Sequence, residues 1–359
     1  MATSRAALPA VRDQVGRALT DFLGRQRPAL AGISQDLLPW LDAIGELLAG
    51  GKRLRPAFCY WGWRAMGGED CAPIHTAAAA IELLHASALV HDDVMDASDT
   101  RRGRPSVHRQ FAARHAARGW RGSASGFGTG TAILVGDLLL AWTDQLFHGS
   151  GLPAGALRRA QPVLDAMRAE VICGQYLDLL GQSAGDGTVA SALQVVRYKS
   201  ASYTVERPLQ LGAALGAQTA GSFTTAAAAA TGYGVPLGVA FQLRDDVLGV
   251  FGDPAKTGKP ADGDLREGKR TVLVAIARER ATASQREVLD RQLGDPLLGE
   301  AGAAGIREIV TSTGALAECE LMISSRVAAA RSALERAPFT REAKLALAEL
   351  AVVATDRSG

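Results

Sequence analysis

From Thr76 to about Asp96 the chain reads TAAAAIELLHASALVHDDVMD, and this segment constrains the fold more than any other. It holds no Gly or Pro, and Ile81, Leu84, Ala88 and Met95 fall on a neighbouring set of turns, which predicts one long, largely apolar helix. Its acidic residues, Asp92, Asp93 and Asp96, stand at the C-terminal end. The helix dipole disfavours negative charge there by a few tenths of a kcal/mol or more per carboxylate. Asp92 and Asp96 lie one turn apart, so their carboxylates share a side and repel, by roughly 0.2–0.5 kcal/mol on an exposed helix. Such an end is stable when a cation sits on it. Carboxylate oxygens are hard donors, and Mg²⁺ bridging one or two of them to a diphosphate fits that preference.

The rest of the chain predicts an all-α protein, a single large bundle of about ten or more helices around a central apolar cavity. Of the 359 residues, 47% are hydrophobic and only 5% aromatic, so the interior is built from Ala, Leu and Val, which suits closely packed helices. Val11, Val15, Leu19, Phe22 and Leu23 mark one helix face, and a second helix covers Leu37 to Leu48, ended by Gly50-Gly51. Pro56 is expected to open the next helix. Further helices are predicted over 131–147, 157–180, 188–215 and 224–250, and from Lys269 to the end with breaks near Gly294, Pro296 and Gly314. RGWRGSASGFGTG, residues 118–130, is expected to be a flexible surface insertion within one domain spanning 1–359. No strand-length alternation and no repeat of solenoid period is present.

Composition excludes several classes. A formal net charge of +2 leaves no basic field for nucleic acid. Cys59, Cys71, Cys173 and Cys319 lack paired spacing, which argues against a zinc site or disulfide framework and fits a reduced, cytoplasmic setting. The N-terminus lacks a signal-peptide core, and no stable membrane insertion is expected.

A second acidic cluster, FQLRDDVLGVFGD, ends another apolar helix with Asp245 and Asp246, and two such ends imply a two-sided metal clamp. Beside the first lies RRGRP, whose Arg101 and Arg102 can grip phosphate oxygens. Beyond the second, Lys256, Lys259, Lys269 and Arg270 sit among glycines, the composition of a lid over a diphosphate. Between the clusters Lys199 precedes Ser200, either to bind phosphate or to extend its charge into solvent.

In order along the chain, GGKRLRP, ALVHDDVMD, RRGRP, GDLLLA, GQYLDL, YKSASY, FQLRDD and GKRT resemble the trans-isoprenyl diphosphate synthase, or polyprenyl synthetase, family. The resemblance implies the isoprenoid synthase fold and Mg²⁺-dependent condensation of isopentenyl diphosphate with an allylic diphosphate by a homodimer, with three ions when substrate is bound. It implies that Lys52, Arg55, His85 and Arg102 hold isopentenyl diphosphate. Arg101, Lys199, Gln242 and Lys259 would contact the allylic diphosphate, with Ser200 and Lys269 adjoining it, while Asp92, Asp96 and Asp245 carry the metal. The catalytic set is then Asp92, Asp93, Asp96, Lys199, Asp245 and Asp246. Relatives that stop at fifteen carbons often carry aromatic rings where Ser87 and Ala88 stand, so a deeper cavity floored near Leu84, Ile81, Leu134 and Leu138 and a geranylgeranyl product are expected.

The second motif departs from DDxxD, with Gly249 at the third acidic position and Asp253 the next aspartate. A class I terpene cyclase shares the fold, but FQLRDDVLGVFGD lacks that class's Asn, Ser and Glu set. A non-catalytic partner subunit would have lost one cluster or the basic residues, and both are here.

Overall fold

The computed structural model describes residues 7–185, 187–252 and 262–355, and the chain is all-α as expected. It divides into two compact units, Met1–Pro162 with Leu211–Thr219, and Val163–Gln210 with Ala220–Gly359. The first contains α1 (Ala7–Ile33), α2 (Leu38–Leu48), α3 (Leu54–Ala65), α4 (Ala72–Met95), α5 (Val107–Ala117) and α6 (Ala124–His148). α7 (Ala154–Ala184) begins in the first unit and continues into the second.

α4 is the acidic-ended helix that the alanine run predicts. It starts four residues earlier than expected, because Pro73 in its first turn needs no hydrogen-bond acceptor. It packs on α1, α3 and α6, and Ile74, Ile81 and Leu83 are wholly excluded from solvent. α3 likewise starts at Leu54, two residues before Pro56, after Arg53 in a left-handed conformation.

The 118–130 segment differs from expectation. α6 already begins at Ala124, where the Ser123 hydroxyl accepts a hydrogen bond from the Gly126 N–H at 3.0 Å and caps the helix. Trp120 meets His115 of α5 edge-on and Phe127 packs against both rings, and a Cβ on Gly128 would stand 2.1 Å from the His108 carbonyl. The glycines that suggested an open loop serve a close helix crossing. RRGRP forms a two-residue antiparallel hairpin, Thr100–Arg101 with Arg104–Pro105, turning through Arg102 and Gly103 at φ of 54° and 75°.

In the second unit α8 (Val189–Val195) leads into a π-helix, Val196–Glu206, where the sequence predicts uninterrupted α-helix. α9 (Arg207–Gly216) follows, its later residues belonging to the first unit. α10 (Ala220–Phe251) is the long helix that ends in the second acidic motif. It packs against the π-helix and against the helix Ala315–Arg336, and the Tyr233 hydroxyl donates to the Leu347 carbonyl at 2.6 Å.

Within the first unit α9 crosses α3 so tightly that a Cβ on Gly212 would lie 1.8 Å from the Cys59 carbonyl oxygen. Gly212→Ala is therefore expected to destabilise the protein by about 1–3 kcal/mol, the range for overpacking. Urea unfolding checks it: the midpoint should fall with the slope unchanged.

Candidate active site

At the end of α4 the three carboxylates separate into two roles. Asp93 is 1% exposed, and its Oδ1 accepts from both Nε (2.8 Å) and Nη2 of Arg101. Burial raises its pKa, opposed by the hydrogen bonds and charge of Arg101. Asp93, expected among the catalytic carboxylates, is buried and bonded to Arg101. Asp92 and Asp96 stay half-buried one turn apart, with the Asp96 N–H bonded to the Asp92 carbonyl, and Arg101 Nη2 lies 3.8 Å from Asp92 Oδ2.

Two turns earlier on α4, His85 is held well below the usual imidazole range, by burial first and then by Arg55, Arg102, Arg101 and Arg53. Burial and then the surrounding guanidinium charge both disfavour the protonated imidazole. Arg53 is buried and paired with Glu82 at 3.0 Å, and it also donates to the Leu48 carbonyl. Arg102 reaches the Leu47 carbonyl at 3.1 Å by lying over Gly50-Gly51, where a Cβ on Gly51 would come within 3.1 Å of Nη2. Burial lowers the Arg102 pKa, aided by Arg53, Arg101 and Arg55 and opposed by Glu82. Like charges gathered this densely make a local anion site. Lys52 is exposed and Arg55 half-buried at the same turn. The Arg53–Glu82 pair was not singled out from sequence, since nothing in GGKRLRP distinguishes the inward arginine from its neighbours.

In the second unit Asp246 is 6% exposed and accepts from Gln242 Nε2 at 2.7 Å. Burial raises its pKa to about 8, with Asp264 and Asp245 adding to the rise while Gln242 and Lys269 oppose it. Asp245 is half-buried beside it. Asp264 is the residue the sequence reading missed. A Cβ on Gly249 would stand 1.9 Å from Asp264 Oδ2, so the third carboxylate of this cluster comes from the short helix Gly263–Arg266, over the glycine where DDxxD would place an aspartate. The signal was Gly249 itself, a glycine standing where the motif would carry a carboxylate. Lys269, expected on substrate, bonds Asp264 at 3.2 Å and lies 2.6 Å from Glu267. Lys256, Lys259 and Asp253 lie outside the described residues.

Lys199, in the π-helix, meets Asp178 of α7 at 2.6 Å, and Ser200 beside it is half-buried. Among the chain-length candidates, Ser87 and Leu84 are buried at 3% and 2%, Ile81 is fully buried and Ala88 is half-buried. Leu134 does not fit a floor: at 53% exposed, it joins Ile133 and Asp137 in an exposed stripe on α6, and Leu138 is half-buried.

Among the described residues no three His, Cys, Asp or Glu side chains form a closed metal cage. Mg²⁺ asks for none, since it is held by one or two carboxylates together with waters and substrate phosphate. Asp92 with Asp96, and Asp245 beside Asp246 and Asp264, match that donor set.

Residues 39–304 match the family model for polyprenyl synthetase. The chain belongs to the polyprenyl synthetase family. It is a prenyltransferase. It is 34% identical over 324 residues to a geranylfarnesyl diphosphate synthase of Aeropyrum pernix, covering 89% of this chain and 91% of that one. To a geranylgeranyl diphosphate synthase of Mycobacterium tuberculosis it is 35% identical over 281 residues, covering 76% and 72%. Its fold is similar to that of a geranylgeranyl pyrophosphate synthase from Corynebacterium glutamicum, complexed with isoprenyl diphosphate and magnesium, at a TM-score of 0.93 and 38% identity over 98% and 99% of the two chains.

For this prenyltransferase, Gly249→Asp forces a second carboxylate into the space of Asp264. It is expected to lower kcat/KM about tenfold, and adding Asp264→Ala should restore part of the loss. Steady-state assays across a Mg²⁺ titration check both.

Proposed function

We propose that this prenyltransferase condenses isopentenyl diphosphate with allylic diphosphates to a linear all-trans product, geranylgeranyl diphosphate. The observation that carries the reading is an anion site beside a cation site along α4: Arg55 of α3 and Arg101 and Arg102 of the hairpin act on His85, and Asp92 with Asp96 follow two turns on. A diphosphate with its counterion suits that combination.

In this reading Lys52, Arg55, His85 and Arg102 hold isopentenyl diphosphate. The neutral imidazole can donate a hydrogen bond to a phosphate oxygen while the guanidiniums supply charge. Asp92, Asp96 and Asp245 hold Mg²⁺, three ions with substrate bound, and Arg101, Lys199, Ser200, Gln242, Lys259 and Lys269 face the allylic diphosphate. Mg²⁺, when bound, offsets the negative charge that builds on the departing diphosphate. Arg101 and Lys199 add fixed positive charge on the same group. The allylic carbon–oxygen bond breaks, the isopentenyl double bond supplies the electron pair for the new carbon–carbon bond, and a proton leaves to the released diphosphate. No side-chain nucleophile takes part.

Both units serve one polyprenyl synthetase domain, a reading supported by a family match that runs from 39 to 304. The enzyme works in the cytoplasm as a homodimer. α4 and α6 are each long and apolar enough to cross a membrane, with 72% and 33% of their apolar windows buried in the chain. The exposed remainder of α6, with Ile133 and Leu134, suits a second copy better than solvent. A twenty-five-carbon product is the second reading, favoured by the likeness to a geranylfarnesyl diphosphate synthase and by the small Ser87 and Ala88.

Purified protein with Mg²⁺, isopentenyl diphosphate and, separately, dimethylallyl, geranyl and farnesyl diphosphates should yield a linear twenty-carbon alcohol after dephosphorylation. Ala88→Phe is expected to shorten the product to fifteen carbons by plugging the cavity, read by chromatography of the same alcohols. Asp92→Ala should lower turnover by several orders of magnitude with the helical circular dichroism unchanged, and retained activity would remove Asp92 from the metal set.

A further inference from the structure

The π-helix Val196–Glu206 carries an ion pair that only its wide winding permits. An α-helix turns once in 3.6 residues, so positions nine apart lie two and a half turns apart, on opposite sides. With i→i+5 bonding a turn takes roughly 4.4 residues, and nine residues make about two whole turns. Arg197 and Glu206 are nine residues apart, and Arg197 Nη1 donates to Glu206 Oε2 at 2.6 Å. Ser202 fills the turn between them: it accepts from the same Nη1 and donates to Glu206 Oε2 at 3.1 Å.

Glu206 is 2% exposed and tied onward, its Oε1 accepting from Thr231 of α10 at 2.7 Å. Thr231 accepts from Gln210 at 2.9 Å, Gln210 from Arg207 at 2.6 Å, and Arg207 Nε donates to Glu170 of α7 at 2.9 Å. Neighbouring glycines leave room for the broad helix. A Cβ on Gly174 would lie 2.7 Å from the Lys199 Cα, one on Gly234 would lie 2.7 Å from the Glu206 Cα, and one on Gly238 would lie 2.5 Å from the Ala201 Cα. Lys199 sits inside the locked span, two residues after Arg197, paired with Asp178.

We propose that the Arg197–Glu206 pair is a register lock, holding the π winding that aims Lys199 and making both residues positioning residues for allylic diphosphate binding. The functional half rests on Lys199 being a diphosphate ligand, as proposed above. Three residues from the start of the π-helix, α winding would rotate the Lys199 side chain by roughly 50°. That is enough to withdraw an ammonium from a phosphate.

Kinetics with geranyl diphosphate and isopentenyl diphosphate, on Glu206→Gln, Arg197→Lys, Lys199→Ala and the Glu206→Gln/Lys199→Ala double variant, test the proposal. Glu206→Gln should raise KM for geranyl diphosphate about tenfold while KM for isopentenyl diphosphate stays within about twofold, a split that general destabilisation would not produce. Arg197→Lys, which keeps the charge, should lie closer to wild type. In the double variant the two effects should not add, since one acts through the other. A folded Glu206→Gln protein with unchanged KM values, or full additivity, overturns the proposal. If Lys199→Ala itself leaves KM unchanged, the ligand reading fails, and amide exchange over 196–206 still decides the lock: faster exchange in Glu206→Gln supports it and unchanged exchange sinks it. Should Glu206→Gln not fold, Ser202→Ala, a milder break in the same chain of bonds, carries the comparison.

Discussion

Carboxylates at the C-terminal ends of long apolar helices are held against both the helix dipole and their own repulsion, and much of this structure answers that tension. At the end of α4 the answer is partial: Arg101 neutralises Asp93, which is buried, and leaves Asp92 and Asp96 half-buried. At the end of α10 it is weaker still. Asp246 gains an amide donor from Gln242, yet burial first, and then Asp264 and Asp245, raise its pKa to about 8. Gathering these groups costs stability, because bringing carboxylates together out of water is expensive for a fold.

The opposite imbalance surrounds His85. Four arginines act on it, and of these Arg53 has its counter-charge in Glu82 and Arg101 has Asp93. The excess is positive and fixed, because Arg102 is laid over Gly50-Gly51 and bonded to a backbone carbonyl. In the reading proposed above these groups hold isopentenyl diphosphate, which keeps its diphosphate through the reaction, so fixed charge serves to orient the attacking substrate.

The parts visible in the sequence are those with a one-dimensional signature. The α4 helix followed from an alanine and leucine run without breakers, and the acidic ends were legible because like charges one turn apart have no ordinary structural use. The parts that escaped depend on three-dimensional proximity between residues distant in the chain. The glycines at 126, 128 and 130 read as a loop because glycine lowers helix propensity, but the His108 backbone presses on Gly128 and tertiary packing overrides propensity. The π-helix gives no periodic signal, because its apolar positions are compatible with α spacing until the Arg197–Glu206 separation is considered. Asp93 and Asp92 are adjacent in sequence and chemically identical, and only the position of Arg101 assigns one inward.

Gly249 shows how a departure from a motif can be a rearrangement and not a loss. Read alone, DDVLG has one carboxylate fewer than DDxxD. In the folded unit the vacancy is the space into which Asp264 extends, and Lys269 bonds that carboxylate from the opposite side. The cluster thus holds three carboxylates, the third supplied by the short helix Gly263–Arg266 and not by α10.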